Sequence, residues 1–284
     1  MRHRLALSVV AIGFATAPAY AGVVVTSTHS YPGDGNKKPE PVMGYFEADR
    51  MKMVMPDTTI IFRGDLNKFW VINTPKNNYV EMTPDTMKAM AGQMQAAQAQ
   101  LSARMAQMQE QLAKLPPEQR AMIEKQLAQQ GIGIPGGAAP QPKPAPSYVK
   151  SGPAKAVPSG RCELYSRMEG QTKNQDLCIA PIASVGLTQA DFKVLDSFSA
   201  FAAPMTNSQY APTSSVFLEW NQMNKAIGFS GIPLETTTFS GGRPEMVDTI
   251  QKIEHSAIPT AAFELPQGLA KQEIPLGPPG RGGR

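Results

Sequence analysis

Hydrophobic and polar positions along the chain change period twice, and each change marks a region. From Gly22 to Thr83 the period is short. Residues 23–28, Val-Val-Val-Thr-Ser-Thr, read as a first strand, followed by a loop rich in Gly, Asp, Asn and Pro over 32–41. In 45–55, Met51, Met53 and Met55 alternate with Arg50, Lys52 and Val54, the pattern of a half-buried strand. Residues 58–63 and 68–73 predict a hairpin around Gly64-Asp65-Leu66-Asn67. A second turn at 73–78 leads into Tyr79-Val80-Glu81-Met82. The spacing is that of an antiparallel meander.

After Thr83 the period becomes helical. Thr83-Pro84-Asp85 supplies a capping hydroxyl, a proline at the first helical position and an acid in the first turn. Met87, Met90, Met94, Ala97, Leu101, Met105, Met108, Leu112 and Leu115 then follow steps of three and four, one apolar stripe on a helix of about 30 residues that Pro116-Pro117 ends. Residues 118–130 predict a second helical piece carrying Met122, Ile123 and Leu127, so that 84–130 forms a helical insertion. Residues 131–159, rich in Gly, Pro, Ala and Lys, are expected to be a flexible linker. From Gly160 mixed patterning returns. Strand-like segments around Cys162 and Cys178 flank a turn at 169–174. Thr188-Gln189-Ala190-Asp191 resembles a capping box opening a helix through Phe192, Leu195, Phe198 and Ala202. A mixed segment holds Val216-Phe217-Leu218 and Trp220, strands are expected at 226–229, 234–239 and 245–253, and 271–284 is expected to be a disordered tail.

The N-terminus changes the picture of where the chain works. Arg2, His3 and Arg4 precede an apolar run over 5–17, and Ala19-Tyr20-Ala21 offers a small-x-small cleavage site before Gly22. Residues 1–21 are therefore expected to be a cleaved signal peptide and the protein periplasmic. The run is shorter than the about 20 residues a membrane span needs, and no integral span is expected. The residue directly after the cleavage site is Gly22 and not a cysteine, so no lipid anchor of the bacterial lipoprotein type is expected. Removing Arg2 and Arg4 from the 27 basic residues leaves 25 against 23 acidic ones. A nearly neutral body argues against a nucleic-acid surface, which needs a basic stripe. Cys162 and Cys178 read as a disulfide in an exported chain, facing each other if the hairpin folds about Gly170; two buried thiols are the alternative.

Catalytic chemistry is scarce. His29 and His255 stand in strand-like segments without metal-ligand spacing, and read as surface or satisfied core histidines. There is no Gly-x-Ser-x-Gly elbow. Gly131-Ile132-Gly133-Ile134-Pro135-Gly136 follows no strand and opens no helix, so no nucleotide site is expected. Neither an enzyme, a metal centre nor a cofactor is predicted. Methionine is the one unusual resource: Met51, Met53 and Met55 on a strand, and Met87, Met90 and Met94 on a helix, could serve soft Cu(I) coordination, although both spacings are also what packing demands.

Several phrases in order resemble the uncharacterised bacterial family of domains of unknown function numbered 4412. They are Phe46-Glu47-Ala48-Asp49-Arg50-Met51-Lys52-Met53, Ile60-Ile61-Phe62-Arg63-Gly64-Asp65, Phe69-Trp70-Val71-Ile72, Tyr79-Val80-Glu81-Met82, Cys162-Glu163-Leu164-Tyr165, Leu177-Cys178-Ile179-Ala180-Pro181, Gly231-Ile232-Pro233-Leu234-Glu235 and a segment at 258–268. The resemblance covers about two thirds of the chain after residue 21. It implies an α+β fold similar to periplasmic lipoprotein carriers of the LolA type: a curved antiparallel sheet, part of a barrel, covered by helices. In that reading 22–83 and 160–270 are two halves of one sheet domain and 84–130 is an insertion between them. Such carriers hold acyl chains between sheet and helices. From their aromatic character alone, Phe69, Trp70, Tyr79, Phe192 and Phe198 are the candidate ligand-lining residues, with plain core packing as the alternative. The expected partner is a hydrophobic small molecule or lipid. The alternative is an envelope protein held by the Met-rich stripe of 84–130, as in a holdase.

Overall fold

The computed structural model describes residues 22–116, 119, 145–206 and 216–274. The expected signal peptide, the second helical piece beyond Gln119, the first part of the linker and the end of the tail lie outside these residues. The chain forms one open, curved sheet of twelve strands with the order β12-β6-β5-β4-β3-β2-β1-β11-β10-β9-β8-β7, antiparallel throughout except for β12 against β6.

The first half is a meander: β1 (Gly22–Ser30), β2 (Glu40–Phe46), β3 (Arg50–Val54), β4 (Thr58–Arg63), β5 (Lys68–Asn73) and β6 (Asn78–Met82). Its turns use residues that tolerate a left-handed backbone, with Asn67 at φ 51° and Asn77 at φ 50°. The segment 45–55 is two strands rather than one. The Glu47 amide donates to the Arg50 carbonyl at 2.8 Å, closing a turn that keeps Phe46 and Met51 paired on one face. One cross-strand row of that face explains why the meander holds. Val23, Phe46, Met51, Phe62, Phe69 and Met82 are successive partners across β1 to β6, and all belong to the main core. We call this the inner face.

The second half runs β7 (Ser147–Val157), β8 (Gly160–Glu169), β9 (Thr172–Pro181), β10 (Gly231–Ser240) and β11 (Arg243–Ser256), and joins the first where β11 pairs with β1. Strand β7 falls in the stretch read from composition as linker. It is a sheet edge whose pairing with β8 breaks on both sides of Gly152, so that Lys150, Pro153 and Lys155 fit an edge where they would not fit a central strand. Likewise β12 (Ala270–Gln272) takes two residues from the expected tail.

Cys162 and Cys178 form a disulfide with Cα atoms 5.2 Å apart. They are not directly opposite. The turn is a two-residue one with Gly170 at φ 61°, but the register shifts between Arg167 and Met168, and Cys178 pairs with Leu164, two residues along.

Helix α1 (Pro84–Ala113) begins as its sequence predicts. The Thr83 hydroxyl accepts from the Thr86 amide at 3.3 Å, and the Thr86 hydroxyl accepts from the Thr83 amide at 2.6 Å. Met87 and Leu112 on its stripe are buried, and the helix leans on α2 (Lys193–Thr206) and β6. Between β9 and β10 lie short 3₁₀ turns at Ile182–Val185 and Gln189–Phe192, then α2 and α3 (Val216–Ile227). The stretch expected as a strand at 226–229 is instead the end of α3, stopped by Gly228 at φ 81°. Thr188 and Asp191 make the predicted capping box.

Candidate functional site

Alternation along β5 decides which aromatic residues can meet. Phe69 points to the inner face and Trp70 to the other. Phe69 and Phe62 stack against Phe198 from α2 with ring centroids 5.3 Å apart in both pairs, and Phe201 closes the same group. Further along, Phe192 sits between Phe46, at 5.6 Å, and Trp220 of α3, at 5.3 Å. These ring pairs fasten the helices over the inner face.

Beside them the inner face is not filled. A cavity of about 400 Å³ lies between β1–β4, β9–β11 and the rings of Phe192 and Trp220. That is within the range of about 300–1,000 Å³ typical of small-molecule sites. Its walls are mostly apolar, with Val25, Val42, Met53, Met55, Ile60 and Ile250 among them. Gly44 lets the Phe46 ring lie close over the strand: a Cβ there would stand 2.7 Å from the ring.

Of the five expected lining residues, only Phe192 lines this cavity. Phe69 and Phe198 pack against each other in the adjoining ring cluster. Trp70 and Tyr79 are on the outer face, where Ile61, Trp70, Ile72 and Phe263 form a separate core joined by Tyr79 and Leu265. Phe69 and Trp70 are adjacent on β5, so alternation puts them on opposite faces of the sheet. Met51 and Met53 of β3 and Met55 just after it face inward, with Met51 in the core and Met53 and Met55 on the cavity wall.

The cavity also has polar members that were not legible as a site. His29 of β1 is the cross-strand partner of Asp248 of β11, and its Nε2 lies 3.5 Å from Asp248 Oδ2. The hydrogen bond to Asp248 raises the His29 imidazole above its usual 6.5, against burial, and the charges of Asp248 and Glu40 add to the rise. Asp248 Oδ1 is buried and has no hydrogen-bond partner among the described residues. Ser27, Gln175, Thr236 and Thr238 complete the polar lining. The available signal was a pair of interrupted alternations, Val25-Ser27-His29 and Met246-Asp248-Ile250, each placing polar side chains in an otherwise apolar row.

The outer face is closed differently. Residues 258–269 cross it with Phe263 fully buried at 0 % exposure. Arg63 clips this segment down, bonding Asp65 through two nitrogens at 2.7 and 2.8 Å and Glu264 at 2.5 Å. Trp70 Nε1 donates to Glu81 at 2.9 Å, and Lys271 of β12 pairs with the same carboxylate at 3.0 Å. These contacts with Trp70 and Lys271, together with the charge of Lys68, hold the Glu81 carboxyl down at about 2.

Among the described residues no group of three or more His, Cys, Asp or Glu side chains is arranged to hold a metal, and no helix is long and apolar enough to cross a membrane. Compared with known protein families and with curated proteins, the chain matches none.

Proposed function

We propose that the protein is a non-enzymatic periplasmic carrier that holds a hydrophobic ligand, such as an acyl chain, in the inner-face cavity. The observation that carries this reading is an apolar space of about 400 Å³ bounded by sheet on one side and by Phe192 and Trp220 on the other. Because this space opens to solvent, an apolar chain can enter it and bury its surface against those walls. Its placement under a helical cover on a curved sheet supports kinship with the LolA-type carriers, and with it the relationship to the family of unknown function that the sequence phrases resemble.

The test is native mass spectrometry of protein purified from the periplasm without detergent, followed by organic extraction of what is bound. A stoichiometric apolar molecule is expected. Filling the cavity by Ile60→Trp or Ile250→Phe is expected to abolish that mass while the protein stays folded, at a cost of about 1–3 kcal/mol. Protein that stays bare after incubation with envelope lipids would sink the carrier reading.

A further inference from the structure

We propose that the cavity takes one single-chain amphiphile tail first, its tail ending against Phe192 and Trp220 and its polar head left at a rim formed by His29, Asp248, Thr236, Thr238 and Gln175. This rests on the carrier reading and assigns it a class of ligand and an orientation.

Strand register gives the cavity two unlike ends. At one, the Phe46 ring meets Phe192, and Phe192 meets Trp220. The wall there is Val25, Gly44 and Met53, successive neighbours across β1, β2 and β3, together with Ile232. The next row is Val42, Ser27 and Ile250. Then the chemistry turns polar: His29, Asp248 and Thr236 follow one another across β1, β11 and β10, and Thr238 pairs with Gln175 beyond them. Exposure runs the same way. Phe46, Phe192 and Trp220 are 3 %, 5 % and 9 % exposed, whereas the side chains of His29 and Asp248 are 17 % and 35 % exposed. The apolar end is the blind one, and the polar end faces water.

Dimensions and charge name the occupant. Phe46 pairs with Val23, six residues before His29 on β1, so about 20 Å of strand separates the two ends. A space of about 400 Å³ drawn out over that length has the width of one alkyl chain, with no room for a second beside it. Burial of the tail supplies the affinity, since every methylene taken from water contributes. The head is read only weakly. Among the described residues lining the cavity the ionisable ones are His29 and Asp248, engaged with each other at 3.5 Å, and the rim leaves a charged head in screening solvent. The threonine hydroxyls and the Gln175 amide offer that head both donors and acceptors. The cavity thus selects the length of the tail and not the charge of the head.

The experiment uses stearate carrying a nitroxide, a short-range quencher of indole fluorescence, at carbon five or at carbon sixteen. Trp220 is read in Trp70→Phe, where it is the one tryptophan left, and again in the unaltered protein, where Trp70 belongs to the outer core. Trp220→Phe supplies the Trp70 signal to subtract. At saturation the nitroxide at carbon sixteen is expected to quench Trp220 several-fold more strongly than the one at carbon five. In parallel, displacement of Nile red, a neutral apolar dye, by decyl and dodecyl chains should strengthen about fourfold for each added methylene, with amine and carboxylate heads of equal length alike. Equal quenching from both positions, or stronger quenching from carbon five, overturns the orientation. Displacement that follows the charge of the head and not the length of the tail overturns the ligand class. In both cases a chain is bound and the carrier reading stands. If the dye does not bind and no chain binds by calorimetry, the orientation, the ligand class and the carrier reading are overturned together.

Discussion

One sheet presents two apolar faces, and they are closed in opposite ways. On the outer face a twelve-residue stretch, 258–269, is pressed onto Ile61, Trp70 and Ile72, with Phe263 fully buried, Arg63 paired with Glu264 in its middle and Glu81 paired with Lys271 just beyond it. On the inner face two helices are fastened by stacked rings, and a cavity remains beside those rings. Hydrophobic burial alone does not distinguish the two, since both bury large side chains. The difference lies in completeness. The outer face is covered by a chain segment tied down by ion pairs, whereas the inner face keeps a mostly apolar cleft lined by residues of both halves of the sheet.

The contrast can be broken most forcefully at Phe263. Phe263→Ala removes a fully buried ring from the outer core and is expected to cost about 3–5 kcal/mol in urea unfolding, with no change in ligand displacement from the inner cavity. Coupled loss of binding in the folded variant would mean that the two faces are not independent. A smaller effect is expected at Glu81. Its folded pKa of about 2 lies below the ordinary 4.5, so the stability it contributes is fully present above pH 4.5 and is lost as pH falls toward 2. Its partners Lys68 and Lys271 are about two-fifths exposed and screened by solvent, which keeps the effect below that of Phe263. Glu81→Gln should reduce the loss of stability across that acid window, read as melting temperature against pH, with the depressed Asp65 carboxyl beside Arg63 contributing what remains.

Much of the scaffold was legible because it rests on local chemistry. The β4–β5 hairpin, the start of α1, the capping box at Thr188 and the disulfide each follow from residues within a few positions of one another. The site was not, because it is made by register between strands far apart in sequence. Bulges also hide it. The pairing of β1 with β11 shifts between Thr26 and Ser27, which brings Ile250 and Ile253, three residues apart, to the same face; simple alternation would assign them to opposite ones. His29 looked solitary, since its partner Asp248 is 219 positions away and nothing in either segment announces the other. The edge strand β7 was hidden for the opposite reason: its Pro and Lys protect an edge, and the same composition marks a linker.

The finest difference between the two faces is the direction of their pH response, and His29 carries it. Glu81 ties the outer face by a depressed carboxyl, so that tie weakens in acid. His29 ties β1 to β11 by a raised imidazole: its contribution is fully present below pH 6.5, where the ring is protonated in both folded and unfolded chains, and is lost as pH rises through the higher folded value. Stability should therefore fall slightly from pH 6 to pH 8 on account of the inner face while the outer face stays constant over that interval. His29→Gln should remove this slope without touching the acid limb set by Glu81, and Glu81→Gln should do the reverse. Chemical denaturation across pH 2 to 8 of the two variants reads both limbs in one series. A slope above pH 6 that persists in His29→Gln would mean that the histidine and Asp248 are not coupled across the cavity wall, and that the polar end of the site is held by its hydroxyl and amide groups instead.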